Sequence, residues 1–133
     1  MAAYIESLQN LADQFMKLNG VGRKSSQRMA FSVLDMSGEE AAAFVQAILD
    51  AKAKIHLCPV CQNLTDRELC PVCADETRDR SVICVVADCR TVPAIEKVRE
   101  YQGTYHVLHG VLSPLNGVTP DMLKIPELLR RVE

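Results

Sequence analysis

Cys58-Pro59-Val60-Cys61 and Cys70-Pro71-Val72-Cys73 are two copies of one four-residue pattern, with eight residues between them. A C-x-x-C turn lets two thiolates converge on one metal ion at a distance of about 2.3 Å, and two such turns complete a tetrahedral shell of four sulfur ligands. Because that shell leaves no ligand position open, the spacing predicts a structural zinc site rather than a catalytic one. The predicted metal ligands are Cys58, Cys61, Cys70 and Cys73.

The segment that carries these cysteines, residues 57–74, has no hydrophobic period and would depend on the metal for its fold. Bound zinc can supply on the order of 10 kcal/mol to such a segment. Two redox-active pairs or disulfides are the alternative, but the strand-to-helix context of a thioredoxin-like motif is absent. His56 is an alternative ligand. Of the other thiols, Cys84 lies in an apolar run and is expected to be buried, whereas Cys89, beside Arg90, is a candidate for partial activation.

The composition around this motif is typical of a folded protein, since 48% of the 133 residues are apolar and 24% are charged. This length excludes a large enzyme. With three Tyr, three Phe and no Trp, a base-stacking aromatic sheet is not expected. The formal net charge of −2 excludes a uniformly basic surface, but it allows a local basic patch.

The sequence also suggests a location for the protein. Its start has no basic stretch followed by an apolar one, and no apolar run approaches the roughly 20 residues of a transmembrane helix. Six cysteines are few for a disulfide scaffold of 133 residues. We therefore expect a cytoplasmic protein with reduced thiols and no membrane contact.

A glycine-containing turn, Gly20-Val21-Gly22, joins two segments with helical spacing of apolar residues, 4–18 and 24–35. The apolar face of the first segment comprises Ile5, Leu8, Leu11, Phe15 and Leu18. Residues 17–28 contain four cations and no acid. Backbone amides at a helix N-terminus, surrounded by cations, suit phosphate, so we predict DNA binding that is independent of base sequence and sensitive to salt. The predicted DNA-binding residues are Lys17, Gly20, Gly22, Arg23, Lys24 and Arg28. The alternative is a helical hairpin whose glycines only permit close packing.

The remaining segments predict a helix followed by an α/β region. Ser37 begins a capping box, in which its side chain accepts a hydrogen bond from the amide of Glu40, and a helix runs to about residue 55. Short β-branched runs at 82–86 and 105–108 flank a helical stretch at 93–101, which predicts a parallel sheet, and Pro126 opens a last helix. Because two strands do not form an independent domain, we expect the chain to be cut short or to depend on another chain, with apolar strand residues exposed.

Four blocks in order resemble the RecR family of bacterial recombination mediators. They are residues 20–31, the C-P-V-C pair, residues 83–86 and residues 112–120. The resemblance implies a multi-module α and α/β fold. It consists of a helical module with a helix-hairpin-helix motif at 1–56, a four-cysteine zinc finger at 57–74 and a truncated Toprim-like α/β domain at 80–133.

The same resemblance implies a function and partners. RecR proteins form tetrameric rings that encircle DNA, and they act with RecO and RecF to help RecA replace single-strand-binding protein. The expected role is therefore a DNA-binding mediator of recombinational repair that belongs to a homo-oligomeric clamp. For this short form we expect a dimer formed through the first helices. The alternative is a zinc-stabilised adaptor whose hairpin serves self-association.

The chain also departs from the family pattern. Asn19 and Arg23 stand where proline is usual, and Ser26 stands where alanine is usual. The loop associated with RecO contacts carries Ala87 and Thr91 in place of acids. Catalytic Toprim proteins hold magnesium with a strand-end Glu and an Asp-x-Asp pair, and no two aspartates here are separated by one residue. A non-enzymatic protein is therefore expected.

Overall fold

The computed structural model describes residues 5–133, and these fall into two compact units. The first unit ends at Leu49 and the second comprises Asp50–Glu133. No helix within residues 5–133 combines the length and apolar character needed to cross a bilayer. The three modules that we predict at 1–56, 57–74 and 80–133 remain a prediction.

The first unit is built on a helical hairpin. Helix α1 (Glu6–Phe15) packs against α2 (Arg23–Leu34), and α3 (Gly38–Lys54) follows. Ala12 of α1 and Ala30 of α2 are fully buried at the contact. Small side chains at this position let the two helix backbones approach closely, and this close approach fixes the turn between them.

The apolar face expected for the first helix is only partly buried. Leu8 is buried, Leu11 and Phe15 are half-buried, and Ile5 and Leu18 are exposed. The helix also ends at Phe15, before the predicted Leu18, and the predicted start at Tyr4 lies outside the described residues. Because the contact is made mainly by small residues, the larger apolar side chains at its edge stay accessible.

The cap predicted for α3 is confirmed. The amide of Glu40 donates to Ser37 Oγ at 3.1 Å, which satisfies one of the free N–H groups of the first turn. No residue of α3 is buried. Its exposed large apolar side chains are Phe44, Val45, Ile48 and Leu49.

In the second unit, the cysteine segment follows the last residues of α3, which extends past Leu49. Strands β1 (His56–Leu57) and β2 (Leu64–Thr65) form a short antiparallel pair, and α4 (Pro71–Ala74) closes the segment. The amide of Cys58 donates to Asn63 O at 2.6 Å, which holds the first C-x-x-C turn between the strands. Few apolar side chains are available here, and Leu69 and Val72 pack against the cysteines from outside.

The predicted parallel pair of strands is confirmed. Strand β3 (Asp79–Val86) pairs with β4 (Gly103–Val107), and α5 (Thr91–Glu96) connects them. The helix predicted at 93–101 is shorter and begins earlier. It ends before Arg99, which takes a left-handed φ of 64° that a helix cannot accommodate.

The two strands differ in solvent exposure, although we expected the apolar side chains of both to be exposed. All five residues of β4 are buried, whereas Val82 and Val85 of β3 are exposed. The last helix, α6 (Ile125–Val132), contacts β4 and accounts for part of its burial. Its Arg131 donates to Tyr105 O at 2.5 Å and to Thr104 Oγ1 at 3.3 Å. Two 3₁₀ turns at residues 114–116 and 120–122 precede α6.

Candidate metal centre and nucleic-acid interface

The four predicted cysteine ligands converge in the structure. One thiol from each of Cys58, Cys61, Cys70 and Cys73 contributes to a cluster in which all sulfur atoms lie within 4.8 Å of one another. All four residues are buried. A tetrahedral shell with Zn–S bonds of about 2.3 Å requires sulfur separations of about 3.8 Å. The observed cluster therefore needs only small movements to enclose one zinc ion.

Backbone amides orient the sulfur atoms. The amide of Asn63 donates to Cys61 Sγ at 3.5 Å and the amide of Cys70 donates to Cys58 Sγ at 3.5 Å. The amide of Cys73 donates to Cys70 Sγ at 3.4 Å. Such N–H···S contacts favour the thiolate form and fix the direction of each ligand before the metal arrives.

Two of the thiols are also hydrogen-bonded to each other. Cys61 Sγ lies 3.4 Å from Cys70 Sγ, and this hydrogen bond lowers the pKa of the Cys70 thiol and raises the pKa of the Cys61 thiol. A divalent cation of thiophilic character matches this donor set.

The other candidate ligand and thiols lie apart from the cluster. His56 is exposed, and its Nδ1 lies 2.9 Å from Lys54 O. Cys84 is half-buried in β3 instead of fully buried, and Cys89 is half-buried at the end of that strand. The four sulfur atoms share one centre instead of forming two separate pairs, so their geometry favours one metal over two redox pairs.

The contacts that join this cluster to the sheet were not predicted from the sequence. The amide of Val107 donates to Cys61 O at 2.8 Å, and Nε2 of His109 donates to Gln62 O at 2.5 Å. Gln62 takes a left-handed φ of 66°, and its carbonyl meets His109, two residues after the end of β4. No local pattern marks Gln62 or His109, since 47 residues separate them. The cysteine cluster thereby holds the end of β4.

The glycine turn presents the N-terminus of α2. Gly20 has a φ of 80°, a left-handed conformation that glycine adopts without strain. Gly22 is the N-cap in an extended conformation, and its carbonyl accepts the first helical hydrogen bond, from the amide of Ser26 at 2.9 Å. The amides of residues 23–25 therefore have no partner inside the helix.

The predicted cations lie in the turn after α1 and along the first two turns of α2, and they do not all line one groove. Arg23 and Lys24 belong to the first turn of α2, and Lys24 and Arg28 line the same groove on this helix. Lys17 lies in the turn after α1, and its Nζ donates to Gln14 Oε1 at 2.9 Å. All four cations are exposed, and the first turn of α2 contains no acidic residue.

A second surface lies at the carboxyl ends of β3 and β4. An open cavity of about 420 Å³ is lined by residues 87–90 and 109–111. Ala87 follows the last residue of β3, and Asp88 Oδ1 accepts the amide of Arg90 at 2.9 Å. This amide bond lowers the pKa of Asp88. Asp88 is the acidic residue among those that line this cavity.

Three family models match consecutive parts of the chain. The RecR helix-hairpin-helix model matches residues 8–52, the RecR four-cysteine zinc finger model matches residues 55–75, and the Toprim domain model matches residues 81–132. The chain belongs to the RecR family. These matches confirm the predicted multi-module α and α/β fold, and RecR membership implies a DNA-binding, oligomeric mediator of recombinational DNA repair.

The zinc prediction is confirmed for this RecR-family protein. The zinc finger match covers all four converging cysteines, and the buried sulfur cluster fits one ion. Zinc is therefore a structural cofactor of the second unit. When bound, it supplies the cross-link that the segment lacks in apolar packing.

Proposed function

We propose that this RecR-family protein grips the DNA phosphate backbone with the turn between α1 and α2, without reading base sequence. The observation that carries the proposal is the set of amides without a helical partner at the start of α2, with Arg23 and Lys24 in its first turn. Lys17 precedes the turn and Arg28 follows one helical turn later. Anions are favoured at such a helix end by the free N–H groups and by the helix dipole. The space beside Gly20 and Gly22 is open, since a Cβ at either position would have no heavy atom within 4 Å, so a phosphate can reach the backbone there.

The proposed contacts do not specify sequence. Lysine and arginine side chains that neutralise phosphates release counterions, so affinity falls steeply with salt whatever the base sequence. A chain with a formal net charge of −2 depends on a local patch for this attraction. Residues 17–28 provide that patch, with four cations and no acid.

Replacing Arg23 and Lys24 together by glutamate is expected to weaken binding to every DNA sequence alike, by about tenfold or more at low salt. The slope of log affinity against log salt should become shallower by about 2, because two phosphate contacts are lost. Fluorescence anisotropy with two unrelated duplexes at several salt concentrations measures both quantities. The matched control replaces the exposed Lys52 and Lys97 by glutamate, which changes the net charge equally.

Equal losses in the variant and in the control would assign the effect to net charge and contradict the proposed site. Unchanged affinity in the Arg23 and Lys24 variant would favour the adaptor role, in which the hairpin serves self-association. A loss confined to one DNA sequence would contradict backbone gripping.

We also propose that this chain forms dimers through the apolar surface of its first unit. A groove of about 330 Å³ in this unit is lined mainly by apolar side chains. They are Phe15, Leu18, Met29, Val33, Met36 and Phe44. The exposed Ile48 and Leu49 of α3 add to the apolar area. Exposed apolar area of this extent is typical of interaction surfaces.

Replacing Phe44 and Ile48 by glutamate is expected to convert the dimer into a monomer, because two charges would be buried at the interface. Light scattering at several protein concentrations measures the mass. The exposed Val111 and Leu112, in the second unit, provide the control pair for the same change. A strictly monomeric wild-type protein would contradict the proposed interface, and a tetramer that persists on dilution would require a further contact.

Within this proposal the protein acts in the cytoplasm as part of a homo-oligomeric clamp, together with RecO and RecF, to assist RecA loading. Family membership supports these partners. The proposed role is non-catalytic, since Ala87 and the hydrogen-bonded Asp88 replace the acidic set of catalytic Toprim proteins. The strand-end surface that includes Ala87 and Thr91 is the proposed RecO contact.

A further inference from the structure

Residues 107–110 begin at the last residue of β4 and lie between the cysteine cluster and the loop that follows β3. The cluster holds alternate residues of this segment. The amide of Val107 donates to Cys61 O at 2.8 Å, and Nε2 of His109 donates to Gln62 O at 2.5 Å. Both bonds therefore end on the first C-x-x-C turn, at one zinc ligand and its neighbour.

The other residues of the segment are bonded to the end of β3. The amide of Leu108 donates to Val86 O at 2.9 Å, and the amide of Gly110 donates to Ala87 O at 2.8 Å. Residues 109–111 also line the open cavity at the carboxyl ends of β3 and β4, which we call the strand-end cavity. One wall of this cavity is therefore held both from the cysteine cluster and from the end of β3.

The backbone conformation marks the same contact. Within residues 5–133, three residues other than glycine take a left-handed φ: Gln62 at 66°, Arg99 at 64° and His109 at 60°. Two of the three, Gln62 and His109, are hydrogen-bond partners. This conformation is costly for a residue with a side chain, and it persists where surrounding contacts hold it, often at functional sites. The meeting of two such residues indicates that their contact serves a function.

We propose that His109 is a positioning residue, which couples the cysteine cluster to the strand-end cavity and holds the cavity wall in the form that binds RecO. The inference rests on the proposed function, which places the RecO contact at this strand-end surface. His109 suits the role because its exposed side chain lines the cavity while its Nε2 binds the backbone beside Cys61. The geometry of the first C-x-x-C turn thus determines where His109 lies.

The residue after His109 shows how the wall depends on this contact. Gly110 has a φ of 146°, and a Cβ there would lie 2.7 Å from Leu123 Cδ2. The backbone of the wall therefore packs closely on the buried Leu123, whereas the cavity that it lines is open to solvent. The bond from His109 to Gln62 limits movement of the wall into this open space. A partner that fits one form of the wall binds in proportion to the population of that form.

Two substitutions at position 109 isolate the hydrogen bond. His109→Leu removes the donor and keeps a side chain of similar size, whereas His109→Gln keeps an N–H donor at the same number of bonds from Cα. The control is His56→Leu, at an exposed histidine beside the cysteine segment whose Nδ1 lies 2.9 Å from Lys54 O. Elemental analysis should find one zinc per chain in all three variants.

Alkylation of Cys89 by iodoacetamide reports the state of the wall without any partner. Cys89 is half-buried and lines the strand-end cavity, and Cys84, in β3, provides an internal reference within the same tryptic peptide, residues 81–90. We expect His109→Leu to accelerate alkylation of Cys89 relative to Cys84 by about fivefold, as for one lost hydrogen bond. His109→Gln and His56→Leu should retain the wild-type ratio, measured by fragmentation of the peptide in a mass spectrometer.

Affinity for RecO provides the second measurement. His109→Leu should weaken RecO binding by about fivefold and leave duplex DNA affinity unchanged, because the proposed phosphate site lies in the first unit. His109→Gln should restore RecO binding. Arg90→Glu tests the proposed contact itself, since this exposed side chain lines the cavity.

The outcomes separate this inference from the proposed function. Weaker RecO binding in Arg90→Glu, with unchanged RecO affinity and Cys89 alkylation in His109→Leu, would retain the contact and overturn the positioning role. Unchanged RecO affinity in both variants would show that the contact is wrong, and the inference would fall with it. A loss of RecO affinity in His109→Leu without faster alkylation would make His109 a direct contact, and a loss of zinc would make it a support of the metal site. Either result would contradict the inference.

Discussion

Replacing Cys58 and Cys61 by serine is expected to reduce the zinc content from one ion per chain to nearly zero and to unfold the cysteine segment. Structural zinc contributes about 10–16 kcal/mol of apparent binding free energy, which exceeds the stability of a typical domain. The four cysteines are the buried cluster of this segment, and only Leu69 and Val72 pack against it. Elemental analysis measures the metal, and tryptic cleavage at the exposed Arg67 measures the unfolding.

The effect should extend into β4 but spare the first unit. The cluster holds the strand end through Cys61 O and Gln62 O, so amide exchange at Val107 should accelerate in the variant. The helices of the first unit make their own core around Ala12 and Ala30, and their exchange should stay unchanged. Cys84→Ser and Cys89→Ser form a matched control pair and should retain one zinc. A full zinc content in the Cys58 and Cys61 variant would refute the site.

Local patterns with strict geometry could be predicted from the sequence. The four cysteine ligands follow from spacing alone, because a C-x-x-C turn has one way to converge on a metal. The cap at Ser37 could also be predicted, because the capping box needs only a side chain and an amide three residues later. The parallel order of β3 and β4 follows from the helix between them.

Burial could not be predicted from local spacing. The expected face of the first helix includes Ile5 and Leu18, which are exposed, whereas Ala12, outside that pattern, is fully buried. The residues buried between two helices depend on the distance between the two backbones, and small residues on both helices set that distance. Likewise, β4 is bonded by Arg131 and by the carbonyl of Cys61, which lie far from it in sequence.

A charged network between β3, α5 and β4 was also not predicted from the sequence. Arg78 donates through both terminal nitrogens to the carboxylate of Glu96, and through Nη1 to Gly103 O at 3.3 Å. The hydroxyl of Tyr105 donates to the same carboxylate. The Arg78 side chain is 14% exposed and the Glu96 side chain 28% exposed. Partial burial strengthens the pair and makes either charge costly to leave alone.

Replacing Glu96 by glutamine is therefore expected to lower the free energy of unfolding of the second unit by about 2–4 kcal/mol. The typical cost of breaking a fully buried pair is about 3–5 kcal/mol, and the partial exposure of Glu96 reduces it. The amide keeps the shape of the side chain but removes the Glu96 charge from Arg78, whose remaining ion pair joins Nε to Asp75 Oδ2 at 3.4 Å. Denaturant unfolding of the zinc-bound protein at pH 7 measures the difference. The matched control is Asp88→Asn, which breaks an exposed pair with Arg90 and should have a much smaller effect.

The same variant should reveal the pH dependence of the network. The hydrogen bond from Arg78 lowers the pKa of Glu96 in the folded protein, with a further contribution from Tyr105. A depressed carboxyl pKa adds stability that is fully present above the unfolded-state value of about 4.3 and is lost as the pH falls through the folded-state value. The difference in unfolding free energy between wild type and Glu96→Gln should thus stay constant from pH 7 to about 5 and shrink below about 4. Zinc content is measured at each pH so that acid release of the metal is recognised. A difference that grew as the pH fell would show that the Glu96 carboxylate is not stabilised by Arg78.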